Sequence, residues 1–92
     1  MLNEKQEQLL RHMLGADERY AKKKWGFRNY YCASDNPNCK SRIELEKMET
    51  LGLVTSGELM GYKTFWATKE GAVAIGFKPY QLRNADLLAS AA

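Results

Sequence analysis

The 92-residue chain has two cysteines, one histidine and two prolines, and it contains no long uncharged apolar run. Each scarcity narrows what the protein can be. Cys32 and Cys39 are too few for a disulfide framework. In a reducing compartment they remain thiols, and a bridge across the short loop between them is the one pairing open. A zinc site needs about four ligands, whereas the chain offers two thiols and His12. No stretch approaches the roughly 20 apolar residues of a membrane-spanning helix. The opening "MLNEKQEQLL" places acidic and amide residues where a signal peptide carries a basic segment and an apolar block. These absences lead us to expect a cytosolic protein with no cofactor, no metal and no membrane association.

Enzyme chemistry is equally thinly represented. No glycine pattern matches a phosphate-binding loop or a dinucleotide fingerprint. His12 lies on the polar flank of an amphipathic segment, and Cys32 has no local signature of a nucleophile paired with a base. Glu44, Glu46 and Glu49 fall at helical spacing and read as a solvated face, not as paired catalytic carboxylates. We expect neither an enzyme nor a small-molecule substrate.

What is present is one small core and one concentrated patch of charge. The length suits a single domain, which buries roughly 60–65% of its unfolded surface. The net charge is +3 but unevenly spread. Residues 19–42 carry Arg19, Lys22, Lys23, Lys24, Arg28, Lys40 and Arg42 against Asp35 alone. Within that segment, "YAKKKWGFRNYYCAS" mixes cations with rings. Cations neutralise phosphates and rings stack on bases; a strand with a basic edge has the same composition.

The order of elements follows from periodicity and caps. Residues 3–14 read as a helix, with Leu9, Leu10, Met13 and Leu14 on the buried stripe. Asn3 and Gln6 are spaced as a capping box, and Gly15 is the stop. Residues 27–33 read as an aromatic strand within a basic and aromatic segment spanning 16–34. "SDNPNC" announces a helix over 36–51, with Asp35 or Asn36 as cap and Pro37 in the first turn. "LVTS" and "YKTFWAT" form a hairpin over 53–68 around a loop of about six residues. Thr68 caps a short helix over 69–77, which Pro79 keeps from extending. A tail over 78–92 carries Leu82, Leu87 and Leu88, which suit either a docked turn of helix or a frayed end. The sum is an α+β domain in the order helix, strand, helix, β-hairpin, helix.

The stretch from Ser41 to Ile75 resembles the second half of a winged-helix domain, in particular that of regulators of the multiple-antibiotic-resistance type. The residues that carry the likeness are Gly52-Leu53-Val54, the hairpin 53–68 as the wing, and Thr68-Lys69-Glu70-Gly71. The resemblance implies a small winged-helix-like fold in which the helix before the hairpin would contact DNA. The chain departs from that pattern where a supporting helix should precede the recognition helix. "FRNYYCASDNP" holds that place and reads as strand and turn, so the helix-turn-helix is incomplete. In size and layout the chain also resembles small bacteriophage and prophage proteins, a likeness that implies no defined activity.

Two binding functions remain. A nucleic-acid-binding regulator would use Lys22, Lys23, Lys24 and Arg28 on phosphate, Lys40 and Arg42 in the first turns of the second helix, and Lys63 on the wing. Against it, Glu44, Glu46 and Glu49 would repel a phosphate backbone. A protein-interaction module, whether adaptor, inhibitor or homodimer, would use Leu59 and Met60 at the hairpin tip, with Trp25 and Tyr62 as aromatic anchors. Tyr30, Tyr31, Phe65 and Trp66 are expected in the core.

Overall fold

The structure, a computed structural model, describes residues 2–16, 25, 29–33, 36 and 38–78. The elements are α1 (Glu4–Leu14), β1 (Tyr31–Cys32), α2 (Lys40–Thr50), β2 (Val54–Leu59), β3 (Tyr62–Ala67) and α3 (Lys69–Ala74). The three strands form one antiparallel sheet in the order β1-β3-β2. This is the expected α+β order, and it is compatible with a small winged-helix-like domain. No helix of the described residues is long and apolar enough to cross a membrane. Among the described residues no helix lies between α1 and α2. The cations Lys22, Lys23, Lys24 and Arg28, and the tail beyond Lys78, lie outside the described residues.

Helix α1 forms as its caps dictate. Asn3 and Gln6 exchange both bonds of the capping box, and Leu9, Leu10, Met13 and Leu14 are buried. All three helices end on one device. Gly15, Gly52 and Gly76 take positive φ, and each is followed by an apolar residue whose N–H reaches back to the final turn: Ala16 to Arg11, Leu53 to Met48, and Phe77 to Ala72. This is the Schellman arrangement, and the residue after the glycine plugs apolar surface. Ala16 and Phe77 are core residues, and Leu53 packs against the core.

Four expectations need correction. Helix α2 begins at Lys40 with Cys39 as its N-cap, several residues later than the cap signals place it. Asn36 caps a local turn instead: its side chain accepts from the Asn38 N–H, and its carbonyl accepts from the Cys39 N–H. Of the expected strand 27–33, residues 27 and 28 lie outside the described residues, and among 29–33 only Tyr31 and Cys32 form the strand. Before it, the Tyr30 N–H turns to the Met13 carbonyl, and the buried Asn29 takes over the pairing with its side chain. The Asn29 carboxamide donates to the Ala67 carbonyl at 2.9 Å and accepts from the Ala67 N–H at 2.8 Å, as a strand backbone would. The hairpin loop has two residues, Met60 and Gly61, because pairing runs without a break from Val54–Ala67 to Leu59–Tyr62. Lastly, Tyr30 is exposed, whereas Phe65 is fully buried and Tyr31 and Trp66 are half-covered.

Helices α1 and α2 are joined by a carboxylate. Glu44 accepts from the Gln6 side chain at 2.9 Å and the Asn3 side chain at 3.3 Å, with Lys47 at 3.5 Å. The Asn3 hydrogen bond is the main cause that holds the Glu44 carboxyl below its ordinary range, with Gln6 and Lys47 adding to it. Glu44 is therefore a structural joint, not a member of a solvated acidic face.

Two outcomes follow. Asn29→Ala removes both bonds to Ala67 and should lower stability by about 2–3 kcal/mol, read as a shift of the urea midpoint. The folded-state pKa of Glu44 is lowered, so its stabilisation is present above the ordinary glutamate value of about 4.3 and is lost as pH falls through the lower folded value. Glu44→Gln should flatten the acid limb of a stability-against-pH curve measured over that window.

Candidate functional site

Strands β2 and β3 alternate between two faces, as any strand does. Val54, Ser56, Phe65 and Ala67 share the inner face, where Val54, Phe65 and Ala67 are buried and the Ser56 hydroxyl bonds the Glu49 carboxylate. The outer face carries Thr55, Gly57 and Leu59 beside Trp66, Thr64 and Tyr62. The Trp66 indole lies over Gly57, where an added Cβ would come within 3.1 Å of the ring. Gly57 thus makes room for a tryptophan.

The two turn residues have φ of +53° at Met60 and +85° at Gly61. Positive φ at both positions defines the tight turn whose twist matches the flanking strands. Asparagine, aspartate or glycine are the usual first residues of such a turn; methionine there is strained. The strained residue is also the most open of the large hydrophobic residues described: Met60 is 90% exposed, with Leu59 at 46% and Tyr62 at 59%. Glu58 lies across from Lys63, so the tip is apolar and close to neutral. The Lys63 ammonium stands 5.6 Å from the centroid of the Phe65 ring.

Of the proposed phosphate contacts, Lys40, Arg42 and Lys63 lie within the described residues. Arg42 bonds Glu46 at 3.1 Å, and Lys47 reaches Glu44 at 3.5 Å, so two of the three cations of α2 face acids of the same helix. Lys40 is exposed at the helix start. Trp25 is half-buried against the core, tilted on the Phe77 ring at 6.2 Å and capped by the Arg11 guanidinium at 5.8 Å. Arg11 also bonds Glu7 and reaches the Ala16 and Ile75 carbonyls. Trp25 therefore belongs to a packed joint near the ends of α1 and α3, remote in kind from an open aromatic anchor.

Cys39 and Cys32 are free thiols. Cys39 makes no side-chain capping bond, but the backbone N–H groups of Arg42 and then Ser41 hold its pKa below the ordinary thiol value. Among the described residues no group of three or more His, Cys, Asp or Glu side chains is arranged to hold a metal. His12 is exposed, with its ring edge-on to Tyr31.

A second apolar feature escapes sequence reasoning. Leu2, Leu51, Leu53 and Ala74, with Glu7, line an open groove of about 360 Å³. Leu51 is 64% exposed. It is the last residue before the glycine stop of α2, a position that periodicity assigns to the helix and that the stop turns outward. Comparison with protein families, with characterised proteins and with solved structures found no match to the chain. The residues themselves therefore carry the functional reading.

The turn makes a direct prediction. Met60→Asn should raise stability by about 1 kcal/mol, because asparagine tolerates the left-handed conformation that methionine resists. Chemical denaturation at low-micromolar protein checks it, and an unchanged or lower midpoint would refute the strain.

Proposed function

We propose that the chain is a non-enzymatic binding module of the cytosol that docks on protein through the tip of its hairpin. The observation that carries this reading is the cluster of Leu59, Met60 and Tyr62, exposed together around a turn with a strained methionine. Sequences break local rules chiefly where function requires it. Methionine is also an adaptable contact residue, unbranched and polarizable. Tyr62 adds a rigid ring of the kind enriched at interface hot spots.

The alternative is a nucleic-acid-binding regulator, which rests on Lys22, Lys23, Lys24 and Arg28 together with Lys40 and Lys63. The acids paired with Arg42 and Lys47 weaken the case for α2 as the reading helix, because they cancel the field a phosphate would feel.

One pair of measurements separates the two readings. A photo-cross-linking amino acid in place of Met60 should give discrete protein adducts at both about 50 and about 200 mM salt, and Leu59→Asp should abolish them. Anisotropy titrations with short duplex and single-stranded DNA should show no micromolar binding at the lower salt. DNA binding that collapses between those salts, that is lost when Lys22, Lys23 and Lys24 become glutamate, and that comes with no adduct at position 60, would reverse the choice.

A further inference from the structure

Strand β2 is an edge of the sheet. The two-residue turn makes Leu59 and Tyr62 a hydrogen-bonded pair, and such pairs alternate along an antiparallel ladder. Leu59, Gly57 and Thr55 therefore point their backbone groups at β3, and Glu58, Ser56 and Val54 point theirs away. None of these outward groups has a backbone partner among the described residues. Sheet edges in stable monomers are blunted by proline, lysine, a bulge or very short length. This edge is six residues long, "VTSGEL", with a single charge and an unbroken register.

The two apolar features described above lie at opposite ends of this edge. Leu51 and Leu53 of the groove come just before β2, and Leu59 and Met60 of the tip come at its end and just after. One arrangement covers both at once. An identical strand laid antiparallel on the first places the end of one against the beginning of the other.

We infer that the partner of the hairpin is a second copy of this chain, joined to it β2 to β2 in a two-fold antiparallel pair. With Ser56 opposite Ser56 of the second copy, Val54 faces Glu58 and Leu59 faces Leu53. Met60 then falls opposite Gly52, beside Leu51 of the second copy. Two-fold symmetry makes each such contact twice. The ladder satisfies the outward N–H and C=O groups of Val54, Ser56 and Glu58, and it continues a three-stranded sheet into one of six strands. The two Glu58 carboxylates stand roughly 14 Å apart along the strands, at about 3.4 Å per residue, which spares the pair the repulsion of like charges placed directly opposite. An unrelated extended peptide could satisfy the backbone, but it has no reason to bring an apolar knob to one end and an apolar groove to the other. This inference rests on the reading of the tip as a protein-docking element.

Sedimentation equilibrium of the full chain, from about 1 to 500 µM, tests it. The expected result is a reversible monomer–dimer equilibrium. Met60→Asp and Leu51→Asp, at the two ends of the edge, should each weaken the dimer at least tenfold. Glu58→Pro should weaken it as well, because it removes an outward N–H while leaving the ladder to β3 intact. Circular dichroism of each variant guards against simple unfolding. A chain that is monomeric throughout the range overturns the inference, as does a dimer indifferent to Leu51 and Met60. If the monomeric chain still gives position-60 adducts with a different protein, the docking tip stands and only the second copy is lost.

Discussion

The fold turns on the place where the backbone of Gly52 and Leu53 lies against the first turn of α3. Thr68 is bound there from both sides. Its N–H donates to the Leu53 carbonyl at 3.0 Å, its hydroxyl donates to the Gly52 carbonyl at 2.7 Å, and the same hydroxyl accepts from the Gly71 N–H at 3.1 Å. An added Cβ on Gly71 would come within 2.1 Å of the Leu53 carbonyl oxygen, an overlap that no side-chain motion relieves. The end of α2, the base of the hairpin and the start of α3 thus share one set of backbone contacts. The spacing of Gly52, Leu53, Thr68 and Gly71 has one physical cause: each residue is what the others leave room for.

Around that joint, a small protein with limited surface to bury is stitched by polar groups acting at long sequence separation. Asn29 serves in place of strand backbone for Ala67, Glu44 ties α2 to the capping box of α1, and Arg11 links the end of α1 to the Ile75 carbonyl and the Trp25 ring. These groups are satisfied, so they specify geometry at little cost in desolvation. They also draw several charged and aromatic residues into structural roles, which leaves the hairpin tip as the most conspicuous unexplained surface.

The tip and the edge of β2 share one property. Both are left unblunted in a chain that caps its helices carefully. Three helices end on the same glycine arrangement and two have side-chain caps, so local chemistry is well matched to the fold nearly everywhere. Besides the α2 start, which lacks a side-chain cap, the exceptions are a methionine in the left-handed region and an edge strand with a single charge. Both lie on the surface proposed to meet a partner, where such departures are tolerated in exchange for binding.

The sequence by itself determined whatever depends on neighbours in the chain. Asn3 with Gln6, Gly15, Gly52 and Thr68 act within a few residues of themselves, so the helix starts and stops they produce were readable, and with them the α+β order. Leu59 and Met60 were readable as apolar residues near a turn. Tertiary structure decided the rest. Asn36 could cap a helix or a turn, and only the packed chain chose the turn, so α2 starts at Lys40. Asn29 carries no sign in the sequence that its side chain will replace a strand. The loop has two residues and not six because β2 and β3 pair without a break as far as Leu59 and Tyr62, a cross-strand register that no local pattern encodes. The groove beside Leu51 exists only once α1, α2 and α3 meet. Caps and stops are settled by forces that act over one helical turn; strand length, turn register and grooves are settled by which distant surfaces pack together, and one chain read in order does not contain those distances.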